Sequence, residues 1–198
     1  MAKFAKIIQE NNENFLIKKF IRLFRRKIAD KGKSRFSFVL TGGKSPIKLY
    51  KRLAKNKKIP WKKIDFFIGD ERYVKENSKY SNIWMCKKYL LNKITILDRQ
   101  IYKISTNQNS LKKDIQNYEK RIKRYFLNKK VAFDLTLLGI GQDGHIASLF
   151  KNNINKKINK NVSFVKRKDF LRITLTLKCI NNSKSVFCGL QVEKNQIL

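Results

Sequence analysis

FDLTLLGIGQDGHIASLF, Phe133 to Phe150, places the only histidine of the chain in a glycine-rich turn directly after an apolar run. Phe133 to Leu138 is almost unbroken in apolar residues, the pattern of a parallel strand covered on both faces. Gly139, Gly141 and Gly144 let the following segment bend closely around a ligand. Asp143 and His145 ride on that loop. An imidazole beside a carboxylate can act as a general base near neutral pH, the carboxylate favouring its charged form or fixing its tautomer. The plainer alternative is a histidine that only satisfies a turn. The strand end, the glycines and the acid in one place favour chemistry, because α/β proteins bind ligands where strands end.

The segments before it repeat the arrangement. Leu16, Phe20, Leu23 and Phe24 recur at helical spacing, which predicts an amphipathic helix over residues 13–30 ending near Gly32. Phe36 to Leu40 reads as a short buried strand, followed by TGGKSP, where Pro46 suits the first turn of a helix running to Ala54. Ile64 to Ile68 reads as a second strand ending in GDERY. Ser81 is placed to cap a helix carrying Trp84, Met85, Tyr89 and Leu90. Ile101 to Ile104 reads as a strand, Ser110 to Leu127 as a helix with Leu111, Ile115, Tyr118, Ile122 and Tyr125 inward, and Arg172–Leu177 and Ser185–Leu190 as later strands. KNNINKKINKN, residues 151–161, is polar and low in complexity, hence a surface loop. Strands alternating with helices give an α/β fold whose parallel-type sheet has helices on both faces. TGGKSP, GDERY and GIGQDGH each follow a strand, so all three gather at one edge.

At 198 residues the chain suffices for a single domain, 1–198, with a real core. No run approaches the ~20 apolar residues that span a bilayer, and the N-terminus lacks the long apolar centre of a secretory signal, so a cytoplasmic protein without a membrane partner is expected. Cys86, Cys179 and Cys188 are odd in number and lack CxxC spacing, which argues for reduced thiols and against a zinc site. The formal charge of +33 ordinarily points to nucleic acid. Here the lysines are spread over nearly every segment and travel with Asn and Ile, all favoured by AT-rich codons. The charge therefore reads as compositional, and no specific nucleic-acid partner is expected, although the field would help capture a phosphorylated substrate.

Thr41, Gly42, Gly43, Lys44, Ser45 and Pro46 lie between a strand and a helix start, where exposed N–H groups and the helix dipole favour an anion. The loop is neither a Walker A sequence nor a dinucleotide GxGxxG, and by itself is equally readable as a tight turn. Asp70, Glu71 and Arg72 put two acids and a guanidinium at a strand end, where Arg can grip phosphate or carboxylate in a fork. A surface ion pair is the alternative reading.

Taken in order, TGGKSPIKLYKRLA, WKKIDFFIGDERYV with Ser81 and Asn82, FDLTLLGIGQDGHIASLF and RITLTL at Arg172 to Leu177 resemble the 6-phosphogluconolactonase family, within the wider glucosamine-phosphate isomerase and lactonase group. The resemblance implies a three-layer αβα sandwich with a mostly parallel Rossmann-like sheet, and hydrolysis of 6-phosphogluconolactone in the oxidative pentose phosphate pathway. It implies His145 as general base with Asp143 beside it, and Asp70 and Arg72 lining the substrate. Gly42, Gly43, Ser45, Arg172 and Lys194 match positions expected around the phosphate. Lys44 stands where the family often has a small hydroxyl residue, and its contact is inferred from charge. Neither metal nor redox cofactor is expected, since a lactone is already an activated ester and no electrons move. The resemblance also favours a monomer.

Glucosamine-6-phosphate deaminases, the rival within the group, typically carry tyrosine after the Asp-Glu pair and continue the histidine loop with FNEP. This chain has Arg72 and then Ser148, Leu149 and Phe150. The second alternative is a basic nucleic-acid-associated protein that has kept the fold without activity. The chain also departs from the family. Lys151 replaces the usual proline after ASLF, Gln191 to Lys194 replaces a Gly-x-x-Lys pattern, and the end at Leu198 is shorter than in relatives, which predicts a poorly covered apolar sheet face.

Overall fold

The computed structural model describes residues 12–106, 110–153 and 158–189. Five strands form one parallel sheet: β1 (Phe36–Leu40), β2 (Ile64–Ile68), β4 (Ile101–Tyr102), β5 (Leu135–Gly139) and β8 (Val186–Gly189), in the order β4-β2-β1-β5-β8. All five residues of β1 and of β2 are buried, as strands covered on both faces must be. Their register runs from Phe36 opposite Ile64 to Leu40 opposite Ile68.

Alternation along the strands sends neighbours to opposite faces. Phe66 and Phe38 face α1 (Glu13–Asp30), where the Phe24 ring lies 4.8 Å from Phe38. Phe67 faces the other way, 5.0 Å from Tyr125 of α4 (Leu111–Tyr125). The result is the expected three-layer αβα arrangement. Helix α1 buries Ile17, Phe20, Phe24 and Ile28, whereas Leu16 and Leu23 lie only at the edge of the expected stripe. Helices α2 (Ile47–Ala54) and α3 (Asn82–Tyr89) complete the first half of the chain.

Three segments differ from their sequence reading. Asp70–Arg72 within GDERY is a strand, β3, which pairs antiparallel with β7 (Leu171–Leu175). Strand β6 (Val162–Lys166), which periodicity did not reveal, pairs with β7 on its other side, giving a second, three-stranded sheet β3-β7-β6. Beyond Leu175 the chain forms helix α5 (Leu177–Asn181), capped by the Thr176 side chain, rather than more strand. One residue, Gly69, carries the chain from one sheet to the other. A Cβ there would lie 3.2 Å from the Leu40 carbonyl oxygen, tighter than most side chains tolerate.

Strand β1 lies between β2 and β5, so the chain leaves it toward one edge of the sheet and later returns to its other side. The loops after β1 and β5 therefore part, opening a crevice at the carboxyl ends of the strands. At the opposite edge of the sheet, buried carboxylates are neutralised. Asp134 accepts from Lys31 at 2.6 Å, Lys184 at 2.9 Å and both N–H and hydroxyl of Ser37 at 3.0 Å, and Asp65 is held by a two-pronged Arg35. Next to edge strand β8, the described residues leave an apolar hollow bordered by Leu16, Ile17, Phe20, Leu137 and Phe187. Cys86, Cys179 and Cys188 are free thiols.

Candidate active site

The loop after β1 is shaped by contacts on both sides. Gly43 adopts φ +84°, and a Cβ on Gly42 would fall 2.0 Å from the Asn82 side-chain oxygen, so the backbone can lie flat on that amide only because no side chain intervenes. Lys44 and Ser45 are exposed, and α2 begins two residues later without a side-chain cap. The Ile47 N–H turns back to the Lys44 carbonyl at 3.2 Å, closing the loop onto the start of the helix.

Because β3 is a strand, Asp70 and Arg72 share one face and Glu71 takes the other. Glu71 accepts from the backbone N–H groups of Asn82 (2.6 Å) and Ile83 (2.8 Å) and from the Ser81 hydroxyl (3.1 Å), fastening the start of α3. Burial pushes its carboxyl up to about 7, against the pull of those N–H groups toward the charged form. Asp70 is buried, accepts the Ser148 hydroxyl at 2.7 Å, and is raised by burial despite Ser148 and the charges of Arg72 and Arg172. Asn82 joins these groups: its amide donates to the Asp70 carbonyl at 2.7 Å, and its oxygen accepts from Arg72 at 3.1 Å.

Arg72 lies directly opposite Arg172 across the β3–β7 ladder. Like charges in that position are destabilising unless something anionic lies between or beside them. Asp169 takes one Arg172 nitrogen, while Nε of Arg172 is the one buried side-chain nitrogen or oxygen among the described residues without a hydrogen-bond partner.

The histidine loop folds back on itself. Gly141 donates to the His145 carbonyl at 2.8 Å, and Gly144, at φ +79°, to the Gly141 carbonyl at 2.9 Å. His145 Nδ1 contacts Asp143 Oδ1, and no described residue hydrogen-bonds its Nε2. The hydrogen bond from His145 holds the Asp143 carboxyl below its ordinary range. One side of the imidazole is braced by Phe150, ring centroids 4.4 Å apart, and Arg167 lies 4.2 Å over that phenyl ring. Ala147 sits at φ +50°, a position strained for a residue with a side chain, and this turn aims Ser148 at Asp70.

Gly42, Gly43, Ser45, Asp70, Arg72, His145 and Arg172 thus line one open cleft of about 140 Å³. Asp143 lies behind His145 rather than on the wall, and Lys44 is outside the lining. Lys194 falls outside the described residues. Thr41 of the anion loop lines the cleft as well, Asn82 and Ala147 line it without having been assigned a role from sequence, and Ser148 supports it through Asp70. The Ser-Asn pair at 81–82 was the available signal for Asn82. Among the described residues no group of three or more His, Cys, Asp or Glu could hold a metal ion.

Residues 10–198 match the family described as glucosamine-6-phosphate isomerases/6-phosphogluconolactonase. The chain is 36% identical over 165 residues to a 6-phosphogluconolactonase of Synechocystis sp., covering 81% of this chain and 68% of that protein. It is 32% identical over 180 residues to the 6-phosphogluconolactonase of Thermotoga maritima, covering 89% and 78%. The crystal structure of the Thermotoga maritima 6-phosphogluconolactonase superposes with a TM-score of 0.79 at 30% identity, over 91% of this chain and 80% of that one.

Proposed function

The chain belongs to the glucosamine-6-phosphate isomerase/6-phosphogluconolactonase family, and from that premise we propose that it is a 6-phosphogluconolactonase: a carboxylic ester hydrolase that opens 6-phospho-D-glucono-1,5-lactone to 6-phospho-D-gluconate in the oxidative pentose phosphate pathway. The observation that carries the reading is the cleft in which an Asp-braced imidazole shares walls with two arginines and a glycine loop. It offers a base at one place and an anion site at another.

Asp143 accepts the hydrogen bond of His145 Nδ1–H, and this tautomer leaves the Nε2 lone pair facing substrate. Nε2 removes a proton from water as its oxygen attacks the lactone carbonyl carbon. The carbonyl oxygen gathers negative charge, for which Arg72 supplies the nearest fixed cation on the Asp70 side. When the ring C–O bond breaks, the departing oxygen recovers the proton from His145, so the proton count closes. Arg172, with Gly42, Gly43 and Ser45, holds the 6-phosphate, and the otherwise unpartnered Arg172 Nε suits an anion. Asp70, kept buried against Ser148, orients the polyol. Lys44 and Lys194 are assigned to the phosphate side by charge and by resemblance respectively.

The reaction requires neither metal nor redox cofactor, and residues 1–198 are taken as one monomeric catalytic domain. No described helix is long and apolar enough to cross a membrane; a cytoplasmic location is proposed from the reaction. Phe150, packed on His145 at the position where the deaminase loop FNEP carries its glutamate, favours ester hydrolysis over deamination. The decisive assay follows disappearance of freshly generated 6-phosphogluconolactone against its spontaneous hydrolysis. A folded protein that adds nothing to the spontaneous rate overturns the reading.

A further inference from the structure

Resting on the lactonase reading, we propose that Tyr50 and Tyr118 are positioning residues, paired clamps that each fix the backbone where a central strand ends and thereby aim one wall of the cleft. The Tyr50 hydroxyl donates to the Thr41 carbonyl at 2.7 Å and accepts the N–H of that same residue at 3.0 Å. The Tyr118 hydroxyl treats Ile68 identically, donating to its carbonyl at 2.7 Å and accepting its N–H at 3.1 Å. Both side chains are fully buried, on two different helices, α2 and α4.

The double bond to one residue has a topological cause. Strand β4 ends at Tyr102, opposite Phe67, so Ile68 has no strand neighbour on that side. Likewise β5 pairs with Phe38 and Val39 of β1, and Thr41 lies beyond that pairing. In each case one buried residue would lack a strand partner for its backbone N–H and C=O, and one phenol hydroxyl, able to donate and accept at once, meets both. Tyr73 and Tyr125 instead spend their hydroxyls on the carboxylates Asp114 and Asp65. Holding backbone at a strand end is therefore particular to Tyr50 and Tyr118.

Each clamp governs a different wall. Thr41 opens the TGGKS loop, and its hydroxyl accepts the Gly139 N–H at 3.3 Å at the end of β5, so Tyr50 sets the phosphate side. Ile68 is followed by Gly69, which bonds Leu40 on one sheet and Leu175 on the other, and then by Asp70 and Arg72. Tyr118 thus sets the carboxylate side where the lactone ring sits.

The test is the trio Tyr50→Phe, Tyr118→Phe and Tyr125→Phe, each removing one hydroxyl. With the phosphorylated lactone, Tyr50→Phe is expected to raise KM and spare kcat, and Tyr118→Phe to lower kcat and spare KM, each by roughly 10- to 100-fold, the scale of a misplacement near 1 Å. Tyr125→Phe, at the far end of β2, is expected to lose comparable stability with unchanged kinetics. Amide hydrogen exchange supplies an arm independent of activity: Tyr50→Phe should speed exchange at residues 41–45 alone, Tyr118→Phe at residues 68–72 alone. Kinetics unchanged in both folded variants, or shifted alike in all three, overturn the proposal. If a variant fails to fold, exchange in the parent chain decides, since the clamps require the Thr41 and Ile68 amides to exchange as slowly as those of Val39 and Phe67. An inactive parent overturns the lactonase reading, and exchange then judges the clamps separately.

Discussion

The two ends of the parallel sheet treat buried charge in opposite ways. At the amino ends of the strands, Asp134 and Asp65 each sit against cations, and Lys31, Ser37 and Lys184 outweigh burial to hold the Asp134 carboxyl below its ordinary value. At the carboxyl ends, Asp70 and Glu71 are buried with hydroxyl and N–H partners and both are raised, while Arg72 and Arg172 lie opposite one another, Arg172 meeting Asp169 and Arg72 held by neutral oxygens of Tyr80 and Asn82. One end gives each of these buried acids a cationic partner and contributes to stability. The other keeps unmatched charge and a strained residue, Ala147, in place for a ligand.

The largest effect expected from breaking this division is at His145. His145→Asn keeps some hydrogen bonding and removes the base, so kcat should fall by about 10²–10⁴-fold with the melting temperature nearly unchanged. Near-parental turnover would transfer the base role to another group, with Asp70 the first to examine.

Next comes a pair of glycines two positions apart in sequence, Gly139 and Gly141. A Cβ on Gly141 would meet the His145 ring at 2.2 Å, whereas one on Gly139 meets only the Thr41 hydroxyl, at 3.8 Å. Gly141→Ala should therefore cost on the order of 10²-fold in kcat by displacing the imidazole, and Gly139→Ala little. Equal losses would show that the loop, not the ring position, is what matters.

Arg172→Ala tests the anion side. A charge-assisted contact of about 1.5–3 kcal/mol corresponds to roughly 10- to 100-fold in KM for the phosphorylated lactone. The unphosphorylated lactone should be little affected; equal effects on both would place Arg172 away from the phosphate.

The pH dependence of stability separates the two ends with opposite signs. Asp134, lowered in the fold from its ordinary 3.8, contributes stability that is complete above that value and is lost as pH falls through the folded value. Glu71, raised from 4.5 to about 7, binds its proton more tightly when folded, so its contribution declines as pH rises across that window. Urea unfolding of Asp134→Ala should show about 1–3 kcal/mol less stability near neutrality and a flattened acid limb, with the decline between pH 4.5 and 7 retained. An unchanged acid limb would assign acid sensitivity elsewhere.

The smallest effect concerns the +33 charge. Labelled oligonucleotides are expected to bind weakly, without sequence preference, and to be released steeply by physiological salt. Tight, sequence-selective binding that survives such salt would revive a nucleic-acid role.

Much of this was present in the chain itself. The apolar runs of β1, β2 and β5, each followed by a loop rich in glycine or charge, determined a parallel sheet and gathered three loops at one edge, because a strand buried on both faces needs apolar residues at every position. The histidine loop carried its own acid two residues away, close enough for a local contact. Tertiary structure alone decided the rest. That GDERY is a strand depends on a partner, Leu171–Leu175, about a hundred residues later; only their register sets Arg72 against Arg172 and sends Glu71 away from the cleft. Asn82 meets Gly42, and Ser148 meets Asp70, across separations that local periodicity does not reach either. Periodicity reports which face of an element is apolar, but not which distant element will cover it or in what register. Those choices follow from packing the whole core at once, and here they turn three separate loops into one cleft.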